Sequence, residues 1–177
     1  MKIKINIGCG KRNFGKDWIH IDEADFSHID EKNIFNISYN NVDLIYASHL
    51  ISYFDYDQVN TLLSHWRDRL KYKGILRIAV PDFKKITYLY SKGYSLNSFL
   101  GPLYGKMKLN DDVIYHKYCY DEKILTELLI KNKFKKIRKW DHKTVDHGIF
   151  DDHSQAYLPH MDKKNGTLIS LNMECEK

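Results

Sequence analysis

The sequence has few cysteines, no long apolar run and no low-complexity tract. It therefore lacks the features of disulfide-rich, membrane-spanning and disordered proteins. It contains only three cysteines and no Cys-x-x-Cys pair, so it indicates neither a disulfide framework nor a thiolate zinc site. No apolar run approaches the roughly 20 residues of a membrane helix, and no low-complexity tract is present. The N-terminus alternates Lys and Ile like a strand and lacks the pattern of an export signal. We therefore expect a cytoplasmic protein.

The length and composition favour one globular domain. With 177 residues, 43% of them hydrophobic, the chain can bury a core of its own, and we expect a single domain over residues 1–177. The net charge of +5 leaves an RNA-binding module as an alternative. The densest basic stretch, residues 131–143, alternates its charges with Phe134, Ile137 and Trp140, as a half-buried strand does. We therefore expect a small-molecule substrate rather than a nucleic acid, while the oligomeric state has no signal in the sequence.

The hydrophobic period divides the chain into alternating strands and helices. Strands are predicted at residues 2–7, 18–22, 42–47, 75–80, 134–140 and 167–174, and helices at residues 56–72 and 121–133. Gly74 is expected to end the first of these helices. The order predicts an α/β, Rossmann-like, doubly wound and mostly parallel sheet, with an antiparallel C-terminal strand and helices on both faces.

Two long stretches, residues 83–120 and 141–165, show no clear period. Long irregular segments in a compact domain are usually functional, and open α/β sheets bind ligands beyond the carboxyl ends of their strands. We expect both stretches to form a cap over the substrate. Their polar aromatic residues are candidates for substrate contacts: Tyr104, His116, His153, Tyr157 and His160.

A glycine turn and a later acid predict a nucleoside site. Gly8-Cys9-Gly10 follows the first strand, where glycine lets backbone approach a ligand, and Asp22 closes the second strand, where a carboxylate can hold a ribose diol. The turn has Asn13 in place of a third glycine, and only residues 11–17 precede the second strand, which counts against a dinucleotide. A nicotinamide-dependent oxidoreductase and an ordinary tight turn remain the alternatives.

Residues 5–10, 18–22, 42–49 and 76–83 together resemble class I S-adenosyl-L-methionine (SAM)-dependent methyltransferases. The resemblance is strongest to a small bacterial, type 11-like subgroup with a shortened first crossover, and it continues through residues 101–105, 152–157 and 166–169. It implies a sheet of the seven-stranded type, SAM as cofactor and methyl transfer to a small polar acceptor, such as a saccharide or a sugar-derived intermediate. A non-catalytic SAM-binding relative is a further alternative.

The resemblance also implies which residues form the site. The glycine turn holds the amino-acid end of SAM, Asp22 holds the ribose, a later pair flanks the adenine, and the end of the third strand borders the methionine. The implied cofactor-binding residues are Asn6, Gly8, Cys9, Gly10, Asp22, Asn33, Ile34, Ala47 and Ser48. The substrate residues would be Tyr53, Tyr104 and Tyr157, with Tyr53 standing where many relatives have a histidine.

Three histidines are candidates for proton transfer. A neutral imidazole can take the proton of a hydroxyl or amine acceptor near pH 7, which suits His49, His116 and His153. Each could instead only satisfy local backbone groups. Asp151, Asp152, His153, His160 and Asp162 match no closed metal site in their spacing, so no metal is expected.

Overall fold

A computed structural model describes residues 2–22, 40–109 and 111–177, and its main feature is a mixed sheet. The strands are β1 (Lys4–Ile7), β2 (Trp18–Ile21), β3 (Val42–Ser48), β4 (Leu70–Pro81), β5 (Met107–Leu109), β6 (Asp112–Ile114), β7 (Lys135–Lys139), β8 (Tyr157–Leu158), β9 (Thr167–Leu168) and β10 (Ser170–Glu176). Six of them lie in the order β2-β1-β3-β4-β10-β7. β1 to β4 pair in parallel, and β10 runs antiparallel to both β4 and β7. The predicted mostly parallel sheet with an antiparallel C-terminal strand is confirmed.

Four α-helices occur in the described part of the chain: α1 (Tyr56–Arg69), α2 (Phe83–Ser91), α3 (Asn97–Tyr104) and α4 (Glu122–Lys131). Asp55 caps α1, and its backbone N–H donates to the Gln58 side chain at 3.0 Å. Asp121 caps α4 by accepting from the Ile124 backbone N–H at 2.8 Å. Both helices predicted from period are confirmed. None of the helices found in these ranges has the length and apolar character to cross a bilayer.

The expected role of Gly74 is wrong. α1 ends at Arg69 and β4 begins at Leu70, so Gly74 lies inside a strand. A Cβ at Gly74 would come within 2.9 Å of the carbonyl oxygens of Lys71 and Val42. The register of β3 and β4 shifts here, between Val42 and Leu44. Glycine is required because the backbone of β3 and that of β4 approach each other closely at this bulge. The local sequence pattern does not reveal such an approach.

The expectation that residues 83–120 are irregular is also wrong. They contain α2, α3 and the hairpin of β5 and β6. The two helices bury few apolar side chains, Ile86, Leu89 and Phe99, which pack with Leu158 and Ile169. Such short helices give too few repeats for a period to appear. Residues 141–165, which we call the strap, are mostly irregular as expected, with 3₁₀ turns at His142–Thr144, Asp146–Ile149 and His153–Gln155.

The two faces of the sheet are covered differently. On one face, Ile45 and Ala47 of β3 pack with α1 and α4 through Trp66 and Leu128. On the other face, Leu44 and Tyr46 pack with aromatic residues from the first crossover and the strap. In the described ranges this second face is covered by residues 13–18 and by 3₁₀ turns of the strap. A crossover as short as residues 11–17 cannot hold a covering helix, so large rings fill the volume instead.

The strap is fixed to the sheet by buried hydrogen bonds. The Tyr46 hydroxyl donates to the Asp152 carboxylate at 2.5 Å, and the Ser154 backbone N–H donates to the same carboxylate at 2.8 Å. The Asn172 amide of β10 donates to the Ser154 carbonyl at 2.9 Å. Burial, followed by the Asp152 carboxylate, raises the pKa of Tyr46 well above its ordinary value. The strap is thereby held against the carboxyl end of β3.

His147 is enclosed by aromatic rings in this second face. Its ring centroid lies 4.4 Å from that of Tyr46 and 5.4 Å from those of Phe14, Trp18 and Trp140. The buried Nε2 atom has no hydrogen-bond partner among the residues that the structure describes. Burial, with a contribution from the Arg77 cation, lowers the pKa of His147 to about 4. The imidazole is therefore neutral in the folded protein at pH 7.

Acid should destabilise the fold through His147. In the unfolded chain this imidazole binds a proton near pH 6.5, whereas in the folded chain it does so only near pH 4. The unfolded state therefore binds more protons between these values, and His147 alone should lower the free energy of unfolding by about 3 kcal/mol at pH 4. Urea unfolding measured from pH 7 to pH 4 checks this.

The variant His147→Phe should show a shallower loss of stability with falling pH than the wild-type protein. Phenylalanine fills the same aromatic site but does not titrate. His160→Phe, at an exposed position, serves as the matched control and should keep the wild-type slope. Equal slopes in the wild type and His147→Phe would contradict the assignment.

Candidate functional site

The glycine turn follows β1 and lies beside the carboxyl end of β2. Gly8 and Gly10 have φ angles of +68° and +57°, in the left-handed region that favours glycine. The Gly8 N–H donates to the Ile21 carbonyl at 2.8 Å, which ties the turn to the end of β2. β1 and β2 are parallel although the connection is short. The shortened first crossover is therefore a feature of the fold.

The two glycines serve different purposes. A Cβ at Gly8 would come within 2.9 Å of the buried Leu50 side chain, so the packing of the chain itself requires this glycine. At Gly10 the nearest atom to a Cβ would be a guanidinium nitrogen of Arg12 at 3.9 Å. The open side of the turn is therefore at Gly10, where a ligand can approach the backbone.

Cys9 and Asp22 lie close to this opening, because the Cys9 backbone N–H, like that of Gly8, faces the carbonyl of Ile21, the residue before Asp22. Asp22 directly follows β2, is exposed, and has no hydrogen-bond donor or cation in contact among the described residues. Cys9 is buried, and burial together with the Asp22 carboxylate raises the pKa of its thiol. Cys9 is thus a protonated thiol that packs beneath the turn. No described residue prevents the Asp22 carboxylate from accepting hydrogen bonds from a diol, and the binding of a nucleoside by Gly10 and Asp22 stays a prediction.

The remaining predicted cofactor residues are less accessible. Asn6 is 2% exposed within β1, and Ala47 is completely buried within β3. Ser48 ends β3 with its hydroxyl in a buried position. Asn33 and Ile34, which the resemblance placed beside the adenine, lie outside the described residues. The side chains of Asn6 and Ala47 belong to the sheet, so any contact with a cofactor there is made by backbone.

His49 lies at the carboxyl end of β3 with the unusual φ of +52°. Its Nε2 atom is 3.1 Å from the Ser170 hydroxyl, and its ring stacks on that of His153 with centroids 5.2 Å apart. Burial lowers the pKa of His49 well below its ordinary value, and His153, His116 and Arg12 lower it further. His49 is therefore neutral at pH 7 and available to accept a proton.

His116 is held in place by contacts with Pro102 and Tyr53. Its Nδ1 atom is 3.1 Å from the Pro102 carbonyl, which can only accept, so Nδ1 carries the proton. The Tyr53 ring meets the imidazole edge to face at 4.5 Å, and the Tyr53 hydroxyl donates to the Gly105 carbonyl at 2.6 Å. Burial lowers the pKa of His116. This histidine, too, is neutral at pH 7.

A cleft of about 1060 Å³ connects these groups. It lies between Arg12 of the first crossover, the end of β3, α3 and the strap, and none of the predicted cofactor-binding residues in the described ranges lines it. All six predicted catalytic and substrate residues line it: His49, Tyr53, Tyr104, His116, His153 and Tyr157. Tyr157 is fixed by a 3.1 Å contact of its hydroxyl with His142 Nε2. The long segments thus meet over the carboxyl ends of the strands, and the roles of the six residues remain predictions.

Two residues of the site have no signal in the sequence. Arg12 lines the cleft, and its Nε donates to the Asp151 carbonyl at 3.2 Å. Ser170 contacts His49 from the start of β10. No sequence pattern distinguishes Arg12 from the other basic residues of the chain, or Ser170 from the other residues of its strand. In the ranges that the structure covers, no group of three or more His, Cys, Asp or Glu side chains is placed to hold a metal ion.

Comparison with solved structures identifies the fold. A SAM-dependent methyltransferase from Archaeoglobus fulgidus superposes with a TM-score of 0.60 at 14% identity, over 99% of this chain and 86% of that one. A SAM-dependent methyltransferase from Mesorhizobium loti gives 0.51 at 12% identity, over 99% and 90%. Human N-acetylserotonin methyltransferase in complex with SAM gives 0.53 at 11% identity, over 99% and 40%. No protein-family model and no curated protein sequence matches the chain. The chain has the class I SAM-dependent methyltransferase fold.

Gly105 should control the position of His116. A Cβ at Gly105 would lie 2.2 Å from His116 Nε2, and Tyr53 and the Pro102 carbonyl leave the ring little room to move. Gly105→Ala should therefore displace the imidazole and break its bond to Pro102. The measurement is the chemical shift of the His116 ring in NMR spectra, together with the melting temperature.

Gly93→Ala is the matched control for this change. Gly93 also has a positive φ, +90°, but a Cβ there would meet nothing within 4 Å. It should lose only the backbone cost of about 1 kcal/mol and leave the His116 signals unchanged. Unchanged His116 signals in Gly105→Ala would show that the ring is not held as described.

Proposed function

We propose that this protein is a SAM-dependent methyltransferase that acts on a small polar acceptor, with a saccharide or a sugar-derived compound as the first class to examine. The observation that carries the proposal is the convergence of His49, His116 and His153 in one cleft beside the open glycine turn. A fold shared with SAM-dependent methyltransferases supports it. Open α/β sheets bind ligands beyond the carboxyl ends of their strands, so an acceptor in this cleft would meet a cofactor held at the turn.

Gly10 and Asp22 are the residues that would hold the cofactor. The open backbone of Gly10 allows close approach, and the Asp22 carboxylate can accept two hydrogen bonds from ribose hydroxyls. When bound, SAM supplies an electrophilic methyl group on a sulfonium. Nicotinamide dinucleotides are disfavoured because no α-helix follows the turn in residues 11–17. The helix N-terminus that commonly binds their pyrophosphate is therefore missing.

The basic C-terminal region does not favour an RNA-binding module. In β7 and β10, Arg138 pairs with Glu174 at 2.6 Å and Lys136 pairs with Glu176 at 2.9 Å. Lys139 pairs with Glu122 of α4 at 2.6 Å. These cations are already opposed by carboxylates, so they form no unpaired positive strip for a phosphate backbone.

The chain supplies proton transfer and positioning. His49 is neutral, is held by Ser170 and His153, and lies at a strand end where ligands bind. It would accept the proton of an acceptor hydroxyl or amine while that atom bonds to the methyl group. The strap reaches this position through His153, whose ring stacks on that of His49. His116 and His153 would orient the acceptor through their ring nitrogens.

Asp22→Ala should weaken cofactor binding by about 1.5 to 3 kcal/mol, the usual value of hydrogen bonds to a charged group. Isothermal titration with S-adenosylhomocysteine measures this. Asp17→Ala removes an exposed acid from the same crossover and should bind like the wild type. A thermal-shift series with SAM, S-adenosylhomocysteine and NAD tests the class, and stabilisation by NAD alone would reject the proposal.

His49→Asn should preserve binding of S-adenosylhomocysteine but slow methyl transfer by about 10²-fold or more, the usual contribution of a general base. The assay supplies SAM labelled in its methyl group, with small-molecule extracts or a panel of sugars, and follows label in the acceptor. His65→Asn, on α1 and away from the residues that line the cleft, should retain the wild-type rate. An unchanged rate in His49→Asn would remove His49 from the mechanism.

A further inference from the structure

Both carboxylates that line the cleft are already used by the protein. Asp151 forms an ion pair with Lys163 at 2.7 Å. Asp152 is buried and accepts from the Tyr46 hydroxyl and the Ser154 backbone N–H. Neither is available to bind a cationic group of an acceptor. The negative charge of the cleft is therefore committed to holding the strap.

The positive charge of the cleft is not committed in the same way. Arg12 donates one hydrogen bond, from Nε to the Asp151 carbonyl, and no carboxylate of the described chain lies within ion-pair distance of it. A guanidinium has five N–H donors, so residues 2–22, 40–109 and 111–177 use only part of its hydrogen-bonding capacity. Lys106 also lines the cleft, is exposed, and has no ion pair within the described ranges.

The histidines near Arg12 are suited to the same kind of ligand. Burial lowers the pKa of His153, and the Arg12 cation lowers it further against the opposing effect of Asp152 and Asp151. The pKa of His49 is also lowered, first by burial and then by His153, His116 and Arg12. An anion placed among these groups would raise the pKa values of both histidines, because a negative charge favours the protonated imidazole. It would also bring His49 closer to the pKa that an effective base needs at neutral pH.

We propose that the acceptor carries an anionic group, a carboxylate or a phosphate, that binds between Arg12 and the imidazoles of His49 and His153. This inference rests on the proposed function and specifies its substrate class. Arginine is suited to both groups because its planar fork can donate two parallel hydrogen bonds to their oxygens. An uncharged acceptor would offer the Arg12 guanidinium no counter-charge, and none comes from the part of the chain that the structure describes.

Pairs of sugars that differ only in the anionic group test the proposal. Glucose 6-phosphate is compared with glucose, and galacturonate with galactose, by isothermal titration against the protein with and without S-adenosylhomocysteine. The charged members should bind about ten- to a hundredfold more tightly, which corresponds to charge-linked hydrogen bonds. At pH 7 their binding should take up protons at His153, seen as a dependence of the enthalpy on the buffer that is lost in His153→Asn, while His49 remains the neutral base. No binding of either charged sugar, or equal binding within each pair, would overturn the proposal.

Variants at Arg12 locate the effect. Arg12→Gln should remove the preference for the charged sugars, and Arg12→Lys should restore part of it. Lys139→Gln, which removes a surface cation outside the cleft, should keep the preference of the wild type. A preference that survives in Arg12→Gln would overturn the assignment. Melting temperatures of all three variants establish that they are folded.

The carboxylate of the cofactor is the other anion that could reach Arg12, since Arg12 also lies near Gly10. Binding of S-adenosylhomocysteine is therefore compared with that of 5′-methylthioadenosine, which lacks this carboxylate. If Arg12→Gln weakens only S-adenosylhomocysteine, Arg12 serves the cofactor and the inference is wrong. Failure of the wild type to bind either nucleoside would instead refute the proposed function.

Discussion

The hydrogen bond between the Tyr46 hydroxyl and the Asp152 carboxylate holds the candidate site together. It fixes the strap to the middle of the sheet in a buried position. The two neighbours of Asp152 depend on it directly, because Asp151 offers its carbonyl to Arg12 and His153 stacks on His49. Ser154 extends the network to Asn172, which accepts from Ser170, the residue that contacts His49. One connected set of polar contacts thus places groups from three distant segments around the cleft.

The aromatic face of the sheet follows from the short first crossover. A link of residues 11–17 has no room for a covering helix, so Phe14 and Trp18 enter the space together with His147 of the strap. These rings bury area over one face while the backbone stays close to the strands. The same geometry brings Arg12 from the crossover to the edge of the cleft. The short first crossover therefore accounts both for the aromatic face and for the position of Arg12 in the site.

The distribution of charge separates the surface from the cleft. On β7, Lys136, Arg138 and Lys139 are opposed by the glutamates of β10 and α4, so these cations form no unpaired strip. Within the cleft the carboxylates are paired, whereas Arg12 is not paired with any acid of the described chain. His49 and His116 are kept neutral by burial. The site therefore combines neutral bases with an available cation, which suits proton removal from an acceptor that brings its own negative charge.

The sequence by itself determined the alternation of strands and helices and the position of the glycine turn, because hydrophobic period and turn chemistry are local properties. Together with the family resemblance, which supplied Tyr53, it also indicated the six polar aromatic residues that line the cleft. Tertiary structure alone decided that Gly74 lies at a bulge, that Leu50 fills the space beside Gly8, and that Arg12 and Ser170 join the site. Each of these depends on contact between segments far apart in the chain. Such contacts are set by the packing of the whole domain, which no local pattern encodes.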